Sequence, residues 1–207
     1  MTYIAATETT IRAETRRKHS EILDAAVEVF GSKGYTNGRL ADIADRAGMT
    51  HAGVLHHFGS KQELLVEVLA YCTHANDENP DEQPIPDSAE FFLDLVHTGF
   101  ADEQRPDIAK AYAVLSAESV ADDHPAQPFF ERRYSRLRSE IAEALVRLCD
   151  QEGVTERENV EAASAAILGI LSGLQAQSLL SSSTLEVGPA SELAIRAIVN
   201  AVVHPGF

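Results

Sequence analysis

The chain predicts an all-α fold of about nine helices, a small N-terminal unit followed by a larger helical body. Apolar residues recur at three- and four-residue intervals from Ile22 onward, and no stretch of any length alternates apolar with polar as a half-buried strand does. Glycine, proline, and hydroxyl or acidic residues stand at the joints between these stretches, where helices start and stop.

Taken in order, residues 1–10 carry no periodic pattern and are expected to form a mobile arm. A first helix is expected from Ile11, with Ile22, Ala26 and Phe30 on one face, Leu23 and Val27 beside them, and Gly31 and Gly34 ending it. Arg12, Arg16, Arg17 and Lys18 crowd its start, placed either to reach phosphates or to stay solvated. The second pattern, residues 39–47, has Gly38 as a permissible N-cap and Leu40, Ile43, Ala44 and Ala47 as its inner stripe. Gly48 is free to take the positive φ of a sharp turn. Thr50 has the hydroxyl to cap a third helix, which ends at Phe58. Ser60-Lys61-Gln62-Glu63 is a capping box in which Ser60 and Glu63 each satisfy the other's backbone N–H. It opens a fourth helix through Leu64, Leu65, Val68 and Leu69 to about His74.

Residues 76–87 are acidic, contain Pro80, Pro84 and Pro86, and read as a surface loop. Ser88 is expected to cap a fifth helix carrying Phe91, Phe92, Leu95, Val96 and Phe100, and Asp107 a sixth with Ile108, Tyr112 and Leu115 inward. After a turn at 122–125, a long helix presents Phe130, Tyr134, Leu137, Ile141, Leu145 and Leu148, with Gly153 as its C′ residue. Residues 155–180 are rich in Ala, Ile, Leu and Gly, and Ala165, Gly169 and Gly173 recur every fourth position, which lets another helix approach closely. Breaks at 181–183 and at Gly188-Pro189 precede a last helix, 190–203, with Leu193, Ile195, Ala197, Ile198, Val199 and Val202.

A chain of 207 residues, 44% of them hydrophobic, can bury a core in one large domain or two small ones. The chain reads as lacking a long uncharged apolar run or a signal-peptide pattern, so a cytoplasmic protein with no membrane contact is expected. Cys72 and Cys149 lie in apolar helical contexts without metal-ligand spacing and are expected buried and reduced. The net charge of −15 is unevenly placed. Up to Lys61, eight basic residues face seven acidic ones, and the acid excess belongs to the remainder. Such asymmetry would present the N-terminal face to a polyanion.

The second and third helices, joined at Gly48, have the outline of a helix-turn-helix, with Ile43, Ala44, Val54 and Phe58 at the small or apolar positions where its helices pack. His51, Ala52, Gly53, Leu55, His56 and His57 remain outward, a set free of acid that suits a DNA surface. Consecutive residues such as His56 and His57 point about 100° apart on a helix, and no cysteine or carboxylate completes a ligand set, so no metal or other cofactor is expected. The histidines predict DNA affinity that rises as pH falls toward about 6.5. Glu90, Asp94 and His97 share a face without a nucleophile–base pair or a phosphate-cradling glycine loop, and no enzymatic activity is expected.

The stretch GYTNGRLADIADRAGMTHAGVLHHFGSKQELL resembles the DNA-binding domain of the TetR family of one-component bacterial regulators. The resemblance rests on the glycine-aromatic pair after the first helix, IAxxAG across the turn, and H-F-x-S-K-x-x-L into the fourth helix. HPAQPFFERRYSRLRSEIAEAL and GILSGLQAQSLL resemble, more loosely, the C-terminal domain of one broad, mostly actinobacterial branch. The resemblance implies a DNA-binding domain at residues 11–59 and an effector-binding and dimerisation domain at 60–207. It implies base-facing roles for His51, Ala52, Gly53 and His56, and phosphate-side positions at Thr50, Leu55, His57 and Lys61. Gly38 and Leu55 depart from the Thr and Tyr usual in the family, whose hydroxyls commonly touch phosphate, and Arg39 is expected to replace part of that contact.

An effector cavity is implied within the helical body, for which Phe91, Phe92, Phe100, Tyr112, Phe130 and Tyr134 are the candidate lining residues. The last two helices resemble the pair that forms the family's dimer interface, with Ala165, Gly169, Gly173, Leu174, Ile195 and Ile198 as its candidates. The function so implied is a homodimeric regulator, a repressor on a pseudo-palindromic operator in double-stranded DNA, released by a small-molecule effector. The reading of a different class is a helical ligand- or partner-binding protein whose helix-turn-helix has lost DNA binding.

Overall fold

The computed structural model describes residues 2–74, 92, 105–155, 157–180 and 186–204, with the backbone alone for 2–12. Among the described residues there are eight helices and no strand: α1 Thr2–Asn37, α2 Leu40–Arg46, α3 His51–Phe58, α4 Lys61–His74, α5 Pro106–Glu118, α6 Gln127–Gln151, α7 Val160–Leu180 and α8 Val187–Val203. The loop expected at 76–87, the breaks at 181–183, and the fifth expected helix except for Phe92 lie outside the described residues.

The chain divides into two units, and the division does not follow chain order. The first contains residues 1–75 and 110–127, the second 76–109 and 128–207. By this division α4 falls in the first unit, and so does most of α5. A linear reading has no means of showing that a later segment returns to an earlier one.

In the first unit, α1 is the central element, with Ile22, Ala26, Val27 and Phe30 fully excluded from solvent. It begins at Thr2, earlier than the start expected at Ile11, for periodicity reports packing rather than helicity, and Ala5, Ala6 and Glu8 are good helix formers. Gly31 does not end α1. A Cβ there would come within 3.2 Å of the Ala111 backbone, so this glycine permits α5 to lie close. The break comes at Gly34, with φ 71° and ψ 177°. On α4, Leu64, Leu65, Val68 and Leu69 are buried. Its Tyr71 hydroxyl donates to Asp24 on α1 at 2.8 Å, and its Glu67 meets His19 Nε2 at 2.9 Å.

The second unit has its core between α6, α7 and α8, where Ile141, Leu145, Ile167, Leu171 and Ile195 pack together with Phe92. Gly153 ends α6 as expected, at φ 71°, with the Val154 N–H donating back to the Cys149 C=O at 2.8 Å. Asp107 does not cap α5; it pairs with Arg105, and Pro106 takes the first helical position, where its missing N–H costs nothing. Pro189 likewise falls inside the first turn of α8 instead of before the helix. Cys72, on α4 of the first unit, and Cys149 are both buried, and neither forms a disulfide.

The expected absence of a long uncharged apolar run fails at α7. It carries no charged residue from Ala162 to Leu180 and is long and apolar enough to cross a membrane by length and composition alone. Ala163, Ser164, Ile167 and Leu171 bury one side of it in the core of this unit.

Candidate nucleic-acid interface

Helix α2 ends in a tight reversal built by Gly48. At φ 62° it lets its own N–H reach Asp45 C=O at 3.3 Å and the Met49 N–H reach Ala44 C=O at 2.9 Å, satisfying carbonyls that the helix end leaves free. Thr50 then opens α3: its extended backbone and hydroxyl place Oγ1 to accept the Gly53 N–H at 3.1 Å. Ile43, Ala44, Val54 and Phe58 are all buried. The angle between α2 and α3 is thus fixed by a cap on each side of the turn and an apolar seam beneath it.

The face left over is the one the sequence assigns to DNA. Thr50, His51, Ala52 and His56 are exposed, while Gly53, Leu55 and His57 are half-buried. No acidic side chain occurs between Thr50 and Ser60. Burial holds the His57 imidazole below its ordinary range, and the nearby His56 and His19 add to that. His19 stacks on Phe58 with ring centroids 4.4 Å apart, so α1 supports the C-terminal end of α3 from below.

The cations around this face divide sharply. Arg17 and Lys18 are held by Glu21, Lys33 by Asp42 at 2.7 Å, and Arg46 by Glu28. Among the described basic residues up to Lys61, Arg16 and Arg39 are exposed without an ion pair. Arg39 is also the N-cap residue of α2, in place of the expected Gly38, with extended φ and ψ and no side-chain cap.

Gly38 has a different role. A Cβ there would lie 2.7 Å from the Gly34 carbonyl oxygen and 2.9 Å from the Phe30 ring, so the backbone at this corner has room only for glycine.

Lys61 is engaged internally. Its ammonium donates to the Tyr35 C=O at 2.5 Å and lies 4.3 Å from the centre of the Tyr35 ring. Burial pushes its pKa down, and the charge of Glu118 partly opposes this. Glu118 in turn accepts the Tyr35 N–H at 2.5 Å. The end of α1, just past its break at Gly34, is therefore gripped on the Tyr35 N–H by α5 and on the Tyr35 C=O by α4. Sequence spacing could not have found this: Tyr35 and Glu118 are 83 positions apart.

The capping box at Ser60 is half formed. Ser60 Oγ accepts the Glu63 N–H at 3.1 Å, but the Ser60 N–H donates to Phe58 C=O at 2.8 Å rather than to Glu63.

Residues 22–68 match the family model for bacterial regulatory proteins of the tetR family, and residues 90–203 match that for the BetI-type transcriptional repressor C-terminal domain. The second match alone covers more than half of the chain. The chain belongs to the TetR family. This TetR-family chain is 30% identical over 160 residues to the HTH-type transcriptional regulator BetI of Agrobacterium fabrum, across 75% of this chain and 74% of that one. It is similar to a transcriptional regulator from Saccharomonospora viridis solved in complex with choline, with TM-score 0.68, 22% identity, and coverage of 93% of this chain and 97% of that one. It is also similar to FadR from Bacillus subtilis in complex with stearoyl-CoA, with TM-score 0.65, 16% identity, and coverage of 90% and 98%. At these identities the two solved structures establish the fold. The TetR family is one of transcriptional regulators, and the helix-turn-helix of this chain is its DNA-binding element.

The residues expected at an effector cavity and a dimer face scatter more widely. Phe92 and Phe130 are buried, Tyr112 and Tyr134 half-buried, and Phe91 and Phe100 lie outside the described residues. The Phe130 and Tyr134 rings are 6.0 Å apart. Ala165 and Gly169 are exposed, and Gly173, Leu174 and Ile198 are half-buried. Ile195 is 3% exposed and belongs to the core of its own chain. Helix α8 has two apolar sides, and Ile195 lies on the one turned inward.

Proposed function

We propose that this TetR-family regulator is a homodimeric repressor whose recognition helix is α3 and whose release from DNA follows binding of a small molecule in the second unit. The observation that carries the reading is the acid-free exposed face of α3, held at a fixed angle by the Thr50 cap and the Gly48 turn. His51, Ala52, Gly53 and His56 face the bases. Thr50 and Arg39 meet the phosphates, with Leu55 and His57 at the flank. At Lys61 the phosphate meets the positive end of α4, since a helix start offers free N–H groups and a dipole suited to an anion.

Helix α7 supports the dimer. Only 22% of its most apolar stretch is buried within the chain, and Leu180 at its end and Leu193 on α8 are 88% and 73% exposed. Two recognition helices about 34–36 Å apart would read successive major grooves of a pseudo-palindrome. Helix α5 supports the coupling: its first turn belongs to the second unit, while its last residue grips Tyr35 at the end of α1. A ligand that prefers one placement of α5 shifts the population of DNA-competent molecules. That the fold serves proteins solved with choline and with stearoyl-CoA agrees with a ligand-responsive body.

The test is binding of the purified chain to the DNA upstream of its own gene, with and without candidate ligands. Sequence-preferring binding that a ligand abolishes supports the proposal. A systematic selection that yields no preferred sequence favours a helical ligand- or partner-binding protein instead.

A further inference from the structure

Helix α6 carries a guanidinium two of whose three nitrogens the described residues leave unanswered. The Nε and Nη2 atoms of Arg147 are shut off from solvent, and neither has a hydrogen-bond partner among the described residues. Arginine stays charged at any pH a protein meets, so it cannot lower the cost of leaving water by giving up its proton. The helix offers an ordinary remedy, because Glu143 and Asp150 stand four residues before and three after, the spacing of surface ion pairs. Neither is used. Glu143 is exposed and not paired with Arg147, Asp150 is taken by Arg157, and Glu140 two turns back is taken by Arg136 at 3.4 Å. The neighbours of Arg147 along α6 are apolar instead: Ala144 is fully buried and Leu148 packs on the same core.

The two orphaned atoms are neighbours on one edge of the guanidinium. Nε–H and the adjacent Nη2–H lie in the guanidinium plane and point outward side by side, along the edge that takes both oxygens of a carboxylate or two oxygens of a phosphate. We propose that Arg147 anchors an anionic effector, a small molecule with an apolar body and one carboxylate or phosphate head. The proposal rests on the reading of the chain as a ligand-released regulator and assigns that ligand its charge.

The experiment is calorimetric titration of the full chain with octanoate, octyl phosphate and octyltrimethylammonium, three heads on comparable tails. The expected result is binding of at least one anion and none of the ammonium, with the two anions distinguishing carboxylate from phosphate. Arg147→Met should weaken anion binding about tenfold or more, and Arg147→Lys, which keeps the charge but not the fork, should fall between. Without ligand, Arg147→Met should melt no lower than the parent, and higher by about 2–4 °C if the unpaired charge is held against stability.

Absence of anion binding, equal binding to Arg147→Met, or preference for the ammonium would overturn the proposal. So would a change in the monomer–dimer equilibrium of Arg147→Met with anion binding untouched, which would give the partner role to a second copy. Because binding is read without DNA, the two readings fail separately. Anion binding through Arg147 that never releases DNA sinks the regulator reading, and release by a cation alone sinks the anionic site.

Discussion

The carboxylate of Glu118, the last residue of α5, accepts the backbone N–H of Tyr35 at 2.5 Å and occupies the space that a side chain at Gly34 would need. Two substitutions probe this contact. Glu118→Ala leaves a half-buried N–H unanswered, at a cost of about 1–3 kcal/mol. Gly34→Ala forces a Cβ into the carboxylate at φ 71° and should cost more than about 1 kcal/mol. In a chain of this size each kcal/mol lowers the thermal midpoint by about 2–4 °C. An unchanged midpoint in both variants would show that the end of α1 holds itself without α5.

Lys61 and Arg39 should differ in salt dependence. The Lys61 ammonium is bonded to Tyr35, so Lys61→Met should lower stability and leave the slope of log affinity against log salt nearly unchanged. Arg39 is exposed and unpaired, and Arg39→Ala should lower that slope by about one. Anisotropy titrations across a salt series measure both. A reversed result would mean that Lys61 leaves Tyr35 when DNA binds.

The two departures from the family pattern have different physical standing. Gly38→Thr restores the usual hydroxyl, yet its Cβ must displace the Gly34 carbonyl and the Phe30 ring, so the variant should melt lower and gain no affinity. Leu55→Tyr places a hydroxyl on the half-buried flank of α3, at a position that already carries a side chain, and it should tighten operator binding with little change in stability. Melting curves and operator titrations of the two variants decide the matter. A gain of affinity in Gly38→Thr would show that the corner can yield.

The pH dependence follows from His57. Its folded-state pKa lies below the ordinary 6.5, so the unfolded chain binds more protons as pH falls through that value. Its contribution to stability is full above about 6.5 and is lost progressively below it. Phosphate acts the other way, favouring the imidazolium, so DNA binding draws in a proton. Operator affinity should therefore rise, and the melting point of free protein fall, between pH about 7.5 and about 6. His57→Gln should flatten both curves. Affinity constant over the range would place His57 away from the phosphates.

The features legible in the sequence are those decided within a few residues of themselves. The positive φ at Gly48 and Gly153, the Thr50 and Ser60 hydroxyls on N–H groups three residues on, and the buried set Ile43, Ala44, Val54 and Phe58 all follow from local pattern. Gly38 was legible as a special position but not for its reason, which is the Phe30 ring and the Gly34 carbonyl. The grip of Glu118 and Lys61 on Tyr35 left no local trace, nor did the return of residues 110–127 to the first unit. Those depend on tertiary closure, for which a single sequence has no periodic signature.

The last prediction concerns Gly169 and Gly173, whose presence the protomer does not explain. Among the described residues a Cβ at either would meet nothing within 4 Å, and a mid-helix glycine costs about 0.5–1 kcal/mol relative to alanine. Within one chain a larger residue at Gly169 should be harmless or stabilising. A second helix lying against α7 reverses this, because a side chain there would hold the backbones apart. Gly169→Leu should therefore dissociate the dimer in sedimentation experiments while its helical signal and monomer melting stay at or above the parent's. Its affinity for a two-half-site operator should fall toward that for a single half-site. Ile195→Ala is the contrast: as a core residue it should cost about 2–5 kcal/mol of stability, through the cavity left among Ile167, Leu171 and their neighbours. If Gly169→Leu dimerises as tightly as the parent, the exposed side of α7 faces something other than a second copy.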